Sequence, residues 1–362
     1  MINSRGGMPL ARLFVCVALA SSPAVAQSGR MAQEVYQNIQ VLEGIPADQL
    51  PATMQFVALS LGVGCSHCHV QGANEKDDKP QKKTARQMMQ MVLATNRDNF
   101  DGRTEVTCYT CHRGNESPPS TPILSETSAS PRPSDGETGG REPGETPSAE
   151  QLLDQYQAAM GGSDALSKIF SRVARGHVLA ADGEKTAVEV FSKGGDAQLL
   201  ITRTAEGDAT VGYSGNSGWT SNTDRGPRDR NAADIEGSRL ENDLYLARHA
   251  KQAYAQWRVG RSEAINGRGT YVLNGSEEGR APVRLYLDSQ TGLLWRVIHY
   301  TVTPLGRLPA QVDFADYREL NGVKVPYRMV KTRRNSSTTI QFDPVQQNVP
   351  VEDSIFSRPA AR

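Results

Sequence analysis

The chain has 362 residues, of which 38% are hydrophobic and 22% charged, and its 40 basic and 40 acidic residues balance to a formal net charge of zero. This length exceeds what one hydrophobic core usually organises and suggests two domains. The balanced charge argues against nucleic acid as a partner.

The first 26 residues have the features of a secretory signal peptide. Their only charged side chains are Arg5 and Arg12, an apolar run follows at 13–20, and an Ala-Val-Ala tripeptide ends at Ala26. Such a segment is too short to span a bilayer as a helix, and it directs export. The sequence therefore predicts a signal peptide over residues 1–26, cleaved near Ala26, and a periplasmic location.

A short amphipathic segment that begins near Pro51 predicts a helix. Pro51 stands where a helix can begin, and Met54 lies on the apolar face with Val57 and Leu61. A methionine thioether can fill space in a core or act as a soft metal ligand. The pattern alone leaves Met54 open between these two roles.

Four cysteines follow the signal peptide, and they form the motifs CSHCH at 65–69 and CYTCH at 108–112. Two thiols at this spacing can add to the vinyl groups on one haem edge, and the histidine that follows provides the proximal iron ligand. The motifs predict two covalently bound c-type haems, with attachment at Cys65, Cys68, Cys108 and Cys111 and iron ligation by His69 and His112. A zinc site or a redox disulfide is the alternative. His67, inside the first motif, is interpreted as a polar residue at the haem rim.

A second helix is predicted between the two motifs. Thr84 is the predicted N-cap, and Met88, Met89 and Met91 fall on two adjacent stripes of the helix. Periodicity alone does not choose among these three methionines as ligand of the second iron.

Residues 117–147 contain seven prolines among Ser, Thr, Gly and Glu, without apolar periodicity. This composition predicts a flexible linker between independently folding units. The predicted domains are thus a diheme cytochrome c domain over 27–116 and a second domain over 148–358.

The second domain is predicted to be mainly β-structure. Ser148 and Gln151 form a capping box before one helix, another helix is predicted at 236–253, and Asp-Gly at 182–183 and Asn-Gly at 321–322 are hairpin turn signals. The fold class is therefore α+β in two domains: a mostly α-helical diheme domain, and a large antiparallel β-sheet domain with few helices.

Several segments together carry a family resemblance: YQNIQVL at 36–42, MQFV at 54–57, GCSHCH at 64–69, TARQMM at 84–89 and VTCYTCHRG at 106–114. Residues 31–116 closely resemble one diheme unit of the cytochrome c subunit of photosynthetic reaction centres. The resemblance implies His/Met axial pairs, with Met54 at the first iron. At the second it implies Met88, eight residues before Asn96, with Met91 next. The full subunit of that family resembles two such units in tandem.

The C-terminal domain resembles the lipoprotein-carrier (LolA-like) proteins at LYLD, 285–288, and at YRELNGVKVP, 317–326. This resemblance implies a half-barrel sheet around an apolar cavity and an apolar ligand as a partner. A β-sandwich used for docking is the alternative. His177, His249 and His299 are scattered along this domain and are interpreted as structural, without a nucleophile–base pair.

These observations predict an electron carrier rather than an enzyme. It would pass electrons between periplasmic and membrane-bound redox partners, such as a reaction centre in photosynthesis or a respiratory complex. Because the C-terminal half is foreign to the reaction-centre subunit, a role in another exported electron-transfer chain is at least as well supported. The alternatives are a diheme peroxidase-like enzyme with one open iron, and a haem-tethered β domain that binds an apolar ligand or a partner protein.

Overall fold

A computed structural model describes residues 29–119, 147–179, 183–224, 226–333 and 336–360. The predicted signal peptide and most of the predicted linker, residues 120–146, lie outside the described residues. Within the described ranges, no helix is both long and apolar enough to cross a membrane.

Residues 29–119 form a helical region, here called the haem-motif region. Its helices are α1 (Ala32–Val35), α2 (Gln49–Leu61), α3 (Pro80–Asn99) and α4 (Cys108–His112), with one turn of 3-10 helix at Cys65–His67. Strand-like pairing in this region is limited to two isolated bridges. Leu42, Leu50 and Val57 supply part of its small core.

The starts of α2 and α3 differ from the sequence prediction. Helix α2 begins at Gln49, so Pro51 lies within the first turn, where a backbone N–H has no intrahelical acceptor. The prediction that Thr84 caps the next helix is wrong, because α3 begins at Pro80. Proline is favoured at the first helical position. Thr84 instead lies in the second turn, where its hydroxyl donates to the Pro80 carbonyl.

Residues 147–360 form the second region, here called the sheet region. Its described part contains four α-helices: α5 (Ala149–Ala159), α6 (Gly162–Ser167), α7 (Ala232–Leu240) and α8 (Asp243–Ala253). The predicted capping box is confirmed, since the Gln151 N–H donates to Ser148 Oγ at 3.2 Å and the Ser148 N–H to Gln151 Oε1 at 2.7 Å. The single helix predicted at 236–253 is two helices. The side chain of Asn242 accepts from the N–H groups of Leu244 and Tyr245 and so starts α8.

Among the described residues, fourteen antiparallel strands form one sheet. They are β1 (Ser171–Leu179), β2 (Lys185–Lys193), β3 (Ala197–Thr204), β4 (Gly207–Ser214), β5 (Ser217–Ser221), β6 (Arg228–Asp229), β7 (Gln256–Val259), β8 (Glu263–Ile265), β9 (Arg268–Ser276), β10 (Val283–Asp288), β11 (Leu294–Thr303), β12 (Gly306–Leu320), β13 (Val323–Arg333) and β14 (Ser336–Gln347). The order is β6-β5-β4-β3-β2-β1-β14-β13-β12-β11-β10-β9-β7, and β8 pairs with β9. The large antiparallel sheet predicted from the sequence is confirmed.

The hairpin signals agree with this topology. Leu320 pairs with Val323 across the Asn-Gly turn at 321–322. Leu179 pairs with Lys185 around the Asp-Gly signal, of which Asp182 lies outside the described residues. The main core lies between the sheet and its helices and includes Leu152 and Tyr156 of α5, Leu244 and Leu246 of α8, and Leu285 and Leu287 of β10.

The turn between β11 and β12 packs against the haem-motif region. Leu305 is fully buried and shares a hydrophobic cluster with Leu50, Phe56 and Cys108. A Cβ at Gly306, where φ is +151°, would overlap the ring of Phe56. The Asn231 amide also donates to the Asp48 carboxylate at 2.9 Å. The two regions therefore share buried apolar surface, a contact that the expectation of independently folding units did not include.

Candidate functional site

A cavity of about 610 Å³ opens in the haem-motif region and is called the first cavity. Its lining includes Met54 from α2, Cys65, Cys68 and His69 from the first motif, and Met89 from α3. The volume falls within the roughly 300–1,000 Å³ of cofactor pockets. The four residues predicted for the first haem thus line one space.

Both motif histidines are oriented by the same kind of hydrogen bond. The Nδ1 atom of His69 lies 3.0 Å from the carbonyl oxygen of Asn74, and that of His112 lies 3.0 Å from the carbonyl oxygen of Asn115. Metal-ligating histidines commonly donate one ring N–H to a carbonyl and bind the metal through the other nitrogen. This geometry leaves Nε2 of each ring for an iron, which fits a covalently attached haem at each motif.

The four cysteines are free thiols. Burial raises the pKa of the Cys68 and Cys108 thiols, which favours the protonated form. Across the described residues, no group of three or more His, Cys, Asp or Glu side chains is placed to hold a metal ion.

The second motif forms α4, which begins at a cap made by Thr107. The side chain of Thr107 accepts from the Thr110 N–H at 3.3 Å, and Thr110 Oγ1 accepts from the Thr107 N–H at 3.0 Å. This reciprocal cap fixes the turn that carries Cys108, which is buried, and Cys111, which is exposed. His112 ends the helix.

The three methionines of α3 point to two different environments. Met89 is only 7% exposed and lines the first cavity, whereas Met88 is 38% and Met91 50% exposed. Met88 and Met91 are three residues apart and so share a helix face. Exposed thioether side chains are apolar surface that a second haem would cover. The choice of Met88 over Met91 stays a prediction.

The segment that follows the second motif lies against the end of α2 through backbone contacts. The Gly114 N–H, just past the second motif, donates to the Ser60 carbonyl of α2 at 2.9 Å. Gly62 ends α2 with φ +69°, and a Cβ there would overlap the carbonyl of Gly114. The sequence carried no signal for this contact.

A charged network beside the first cavity was missed by the sequence reasoning. The Lys82 ammonium donates to the carbonyls of Asn74, Glu75 and Lys76 at 2.8–2.9 Å and lies 2.9 Å from the Asp77 carboxylate. Arg86 pairs with the same carboxylate. The hydrogen bonds from Arg86 and Lys82 hold the pKa of Asp77 well below its usual range. His67 also has a partner, Glu116, at 3.4 Å.

Residues 15–150 match the family model described as the photosynthetic reaction centre cytochrome C subunit. The haem-motif region resembles the reaction-centre cytochrome c subunits. The chain is 43% identical over 102 residues to the photosynthetic reaction center cytochrome c subunit of Thermochromatium tepidum, covering 27% of this chain and 25% of that relative. It is 39% identical over 82 residues to cytochrome c-554 of Chloroflexus aurantiacus, covering 21% and 20%. The chain thus spans about a quarter of the length of the curated relatives it matches.

Solved structures similar to this chain include a LolA superfamily protein from Nitrosomonas europaea, with 15% identity and a TM-score of 0.40 over 59% of this chain and 98% of that chain. A DUF1329 family protein from Desulfovibrio piger has 14% identity and a TM-score of 0.42 over the same shares.

Proposed function

We propose that the protein is an exported, periplasmic electron-transfer cytochrome with two covalently bound c-type haems. The observation that carries this proposal is the matched geometry of His69 and His112, whose Nδ1 atoms each contact a backbone carbonyl. When bound, each haem iron accepts and releases one electron. The similarity to the reaction-centre subunits and to cytochrome c-554 supports the same role.

Each proposed haem site uses two cysteines, one histidine and one methionine. Cys65 and Cys68 would attach the first haem, and His69 and Met54 would be the ligands of its iron. The apolar lining of the first cavity would limit water around the haem, which would favour the ferrous state.

At the second site, Cys108 and Cys111 would attach the haem, and His112 and Met88 would be the ligands of its iron. With both pairs of ligands in place, neither iron would have a position open to peroxide, so the proposed role is electron transfer rather than catalysis. Its partners would be redox proteins, including a membrane-bound reaction centre or a respiratory complex.

The number of haems is tested by the pyridine haemochrome assay on the full chain. We expect two haems per chain, and one after the double change Cys65→Ala and Cys68→Ala. The converse change at Cys108 and Cys111 should also leave one. Two haems remaining in either variant, or none in the unmodified protein, would contradict the proposal.

The distal ligands are tested by carbon monoxide binding, with a matched methionine at each site. Met54→Ala should open the first iron to carbon monoxide, while Met89→Ala, which alters the same cavity wall, should not. Met88→Ala should open the second iron, while Met91→Ala on the same helix face should not. If the unmodified protein already binds carbon monoxide stoichiometrically, an iron is open and the peroxidase-like alternative gains support.

A further inference from the structure

The carbonyl that orients His69 is shared with a buried cation. Asn74 oxygen lies 3.0 Å from His69 Nδ1 and 2.9 Å from Lys82 Nζ. Lys82 is 8% exposed, although it lies on a helix whose neighbouring Lys83 is exposed. The ammonium therefore reaches the same hydrogen-bond acceptor as the proximal ligand of the first iron.

The second motif has a different arrangement. The Asn115 carbonyl accepts from His112 Nδ1. In the part of the chain that the structure describes, it accepts no hydrogen bond from a lysine or arginine side chain. The two proximal histidines are thus alike in geometry, but only the one at the first motif shares its carbonyl with a cation.

This difference has an electronic consequence. A cation at a carbonyl oxygen withdraws electron density from it, so the carbonyl accepts more weakly from the imidazole N–H. The imidazole is then a poorer electron donor to iron, and the ferrous state becomes relatively more stable. The positive charge beside the cavity acts in the same direction.

Among the ion pairs that Lys82 takes part in, positive charge is in excess. Lys82 and Arg86 both contact Asp77, so two cations and one anion make a cluster of net charge +1. Asn38 donates to the Asp77 carboxylate and adds no charge. Glu75 takes part through its backbone carbonyl.

We propose that Lys82 is a positioning residue that raises the reduction potential of the first haem above that of the second, so that electrons pass from the second haem to the first. This inference rests on the proposed function, because it requires a haem at each motif.

The test is a spectroscopic redox titration of the full chain with both haems bound, which is independent of any turnover assay. The variant that lacks Cys65 and Cys68 assigns the potential of the second haem. Lys82→Gln should lower the reduction potential of the first haem by at least about 59 mV. For one electron, this corresponds to a tenfold change in the ferrous/ferric ratio at a fixed solution potential. Lys83→Gln removes the same charge from an exposed neighbour and should leave the potential nearly unchanged.

Two further variants separate charge from loosened structure. Lys82→Arg keeps the cation and should retain the high potential. Asp77→Asn removes the anion of the cluster and should raise the potential of the first haem, whereas Asp78→Asn, at an exposed neighbour, should not. Loosening of the site would not produce shifts of opposite sign.

The inference is overturned if Lys82→Gln shifts both haems equally or matches Lys83→Gln, or if Asp77→Asn lowers the potential of the first haem. In those cases a haemochrome count of two leaves the proposed function standing. A count of zero overturns both proposals.

Discussion

Leu305 offers a direct test of the contact between the two regions. Its side chain is fully buried in a cluster that also contains Phe56 and Cys108, so Leu305→Ala would leave a cavity between the sheet region and the haem-motif region. Truncating a buried leucine costs about 2–5 kcal/mol, depending on how far the site collapses. Because the lost contacts lie between the two regions, we expect the substitution mainly to weaken the packing of one region against the other.

Two optical probes can follow the regions separately during denaturant unfolding. Haem absorbance reports the haem-motif region, and tryptophan fluorescence reports the sheet region, which contains all three tryptophans of the chain, Trp219, Trp257 and Trp295. In the unmodified protein the two transitions should coincide. In Leu305→Ala the haem transition should move to lower denaturant and separate from the tryptophan transition.

The matched control is Leu285→Ala, at another fully buried leucine that lies in the sheet core. It should shift the tryptophan transition most. A change of less than about 0.5 kcal/mol in Leu305→Ala, which is typical of surface substitutions, would refute the reasoning, as would separate transitions in the unmodified protein.

Three further predictions follow from buried contacts. Burial alone would raise the pKa of Glu241, but Lys331 and His299 oppose it, and the pKa lies well below its usual value. The stabilisation of the fold by ionised Glu241 should therefore be fully present above about pH 4.3, and it should be lost as the pH falls through the pKa of Glu241 in the folded protein. Glu241→Gln should lower the free energy of unfolding by about 3 kcal/mol at pH 7, measured by tryptophan fluorescence. Gly306→Ala should destabilise the protein in calorimetry more than Gly279→Ala, since only Gly306 abuts Phe56. Limited proteolysis within the predicted linker should yield two fragments that co-elute in size-exclusion chromatography, and separate elution would contradict the shared cluster.

The sequence predicted those structural features that depend only on residues close together along the chain. The spacing of the cysteine motifs, the Ser148 capping box and the Asn-Gly turn each depend on neighbouring residues, and the capping box and the turn are confirmed in the structure. Errors arose where two local signals competed. Thr84 was a good cap by residue type, but Pro80 was a better start for the helix. At Asn242, a cap inside an apolar periodicity divided one predicted helix into two.

Long-range contacts could not be predicted in this way. Leu305 and Phe56 lie far apart along the chain, and each alone indicates only an apolar residue. Lys82 resembles any lysine on an amphipathic helix, and its burial depends on three carbonyls of a loop that folds over it. The exposed shared face of Met88 and Met91 also shows why periodicity did not choose between them.

The backbone contact of Gly62 with Gly114 bears on the kinetics of the proposed carrier. No side chain separates these two glycines, so the end of α2 packs directly on the backbone that follows the second motif. Electron exchange between the two proposed haems would then be a unimolecular step. After a flash delivers one electron to the protein, the rate of redistribution between the haems should be the same at every protein concentration.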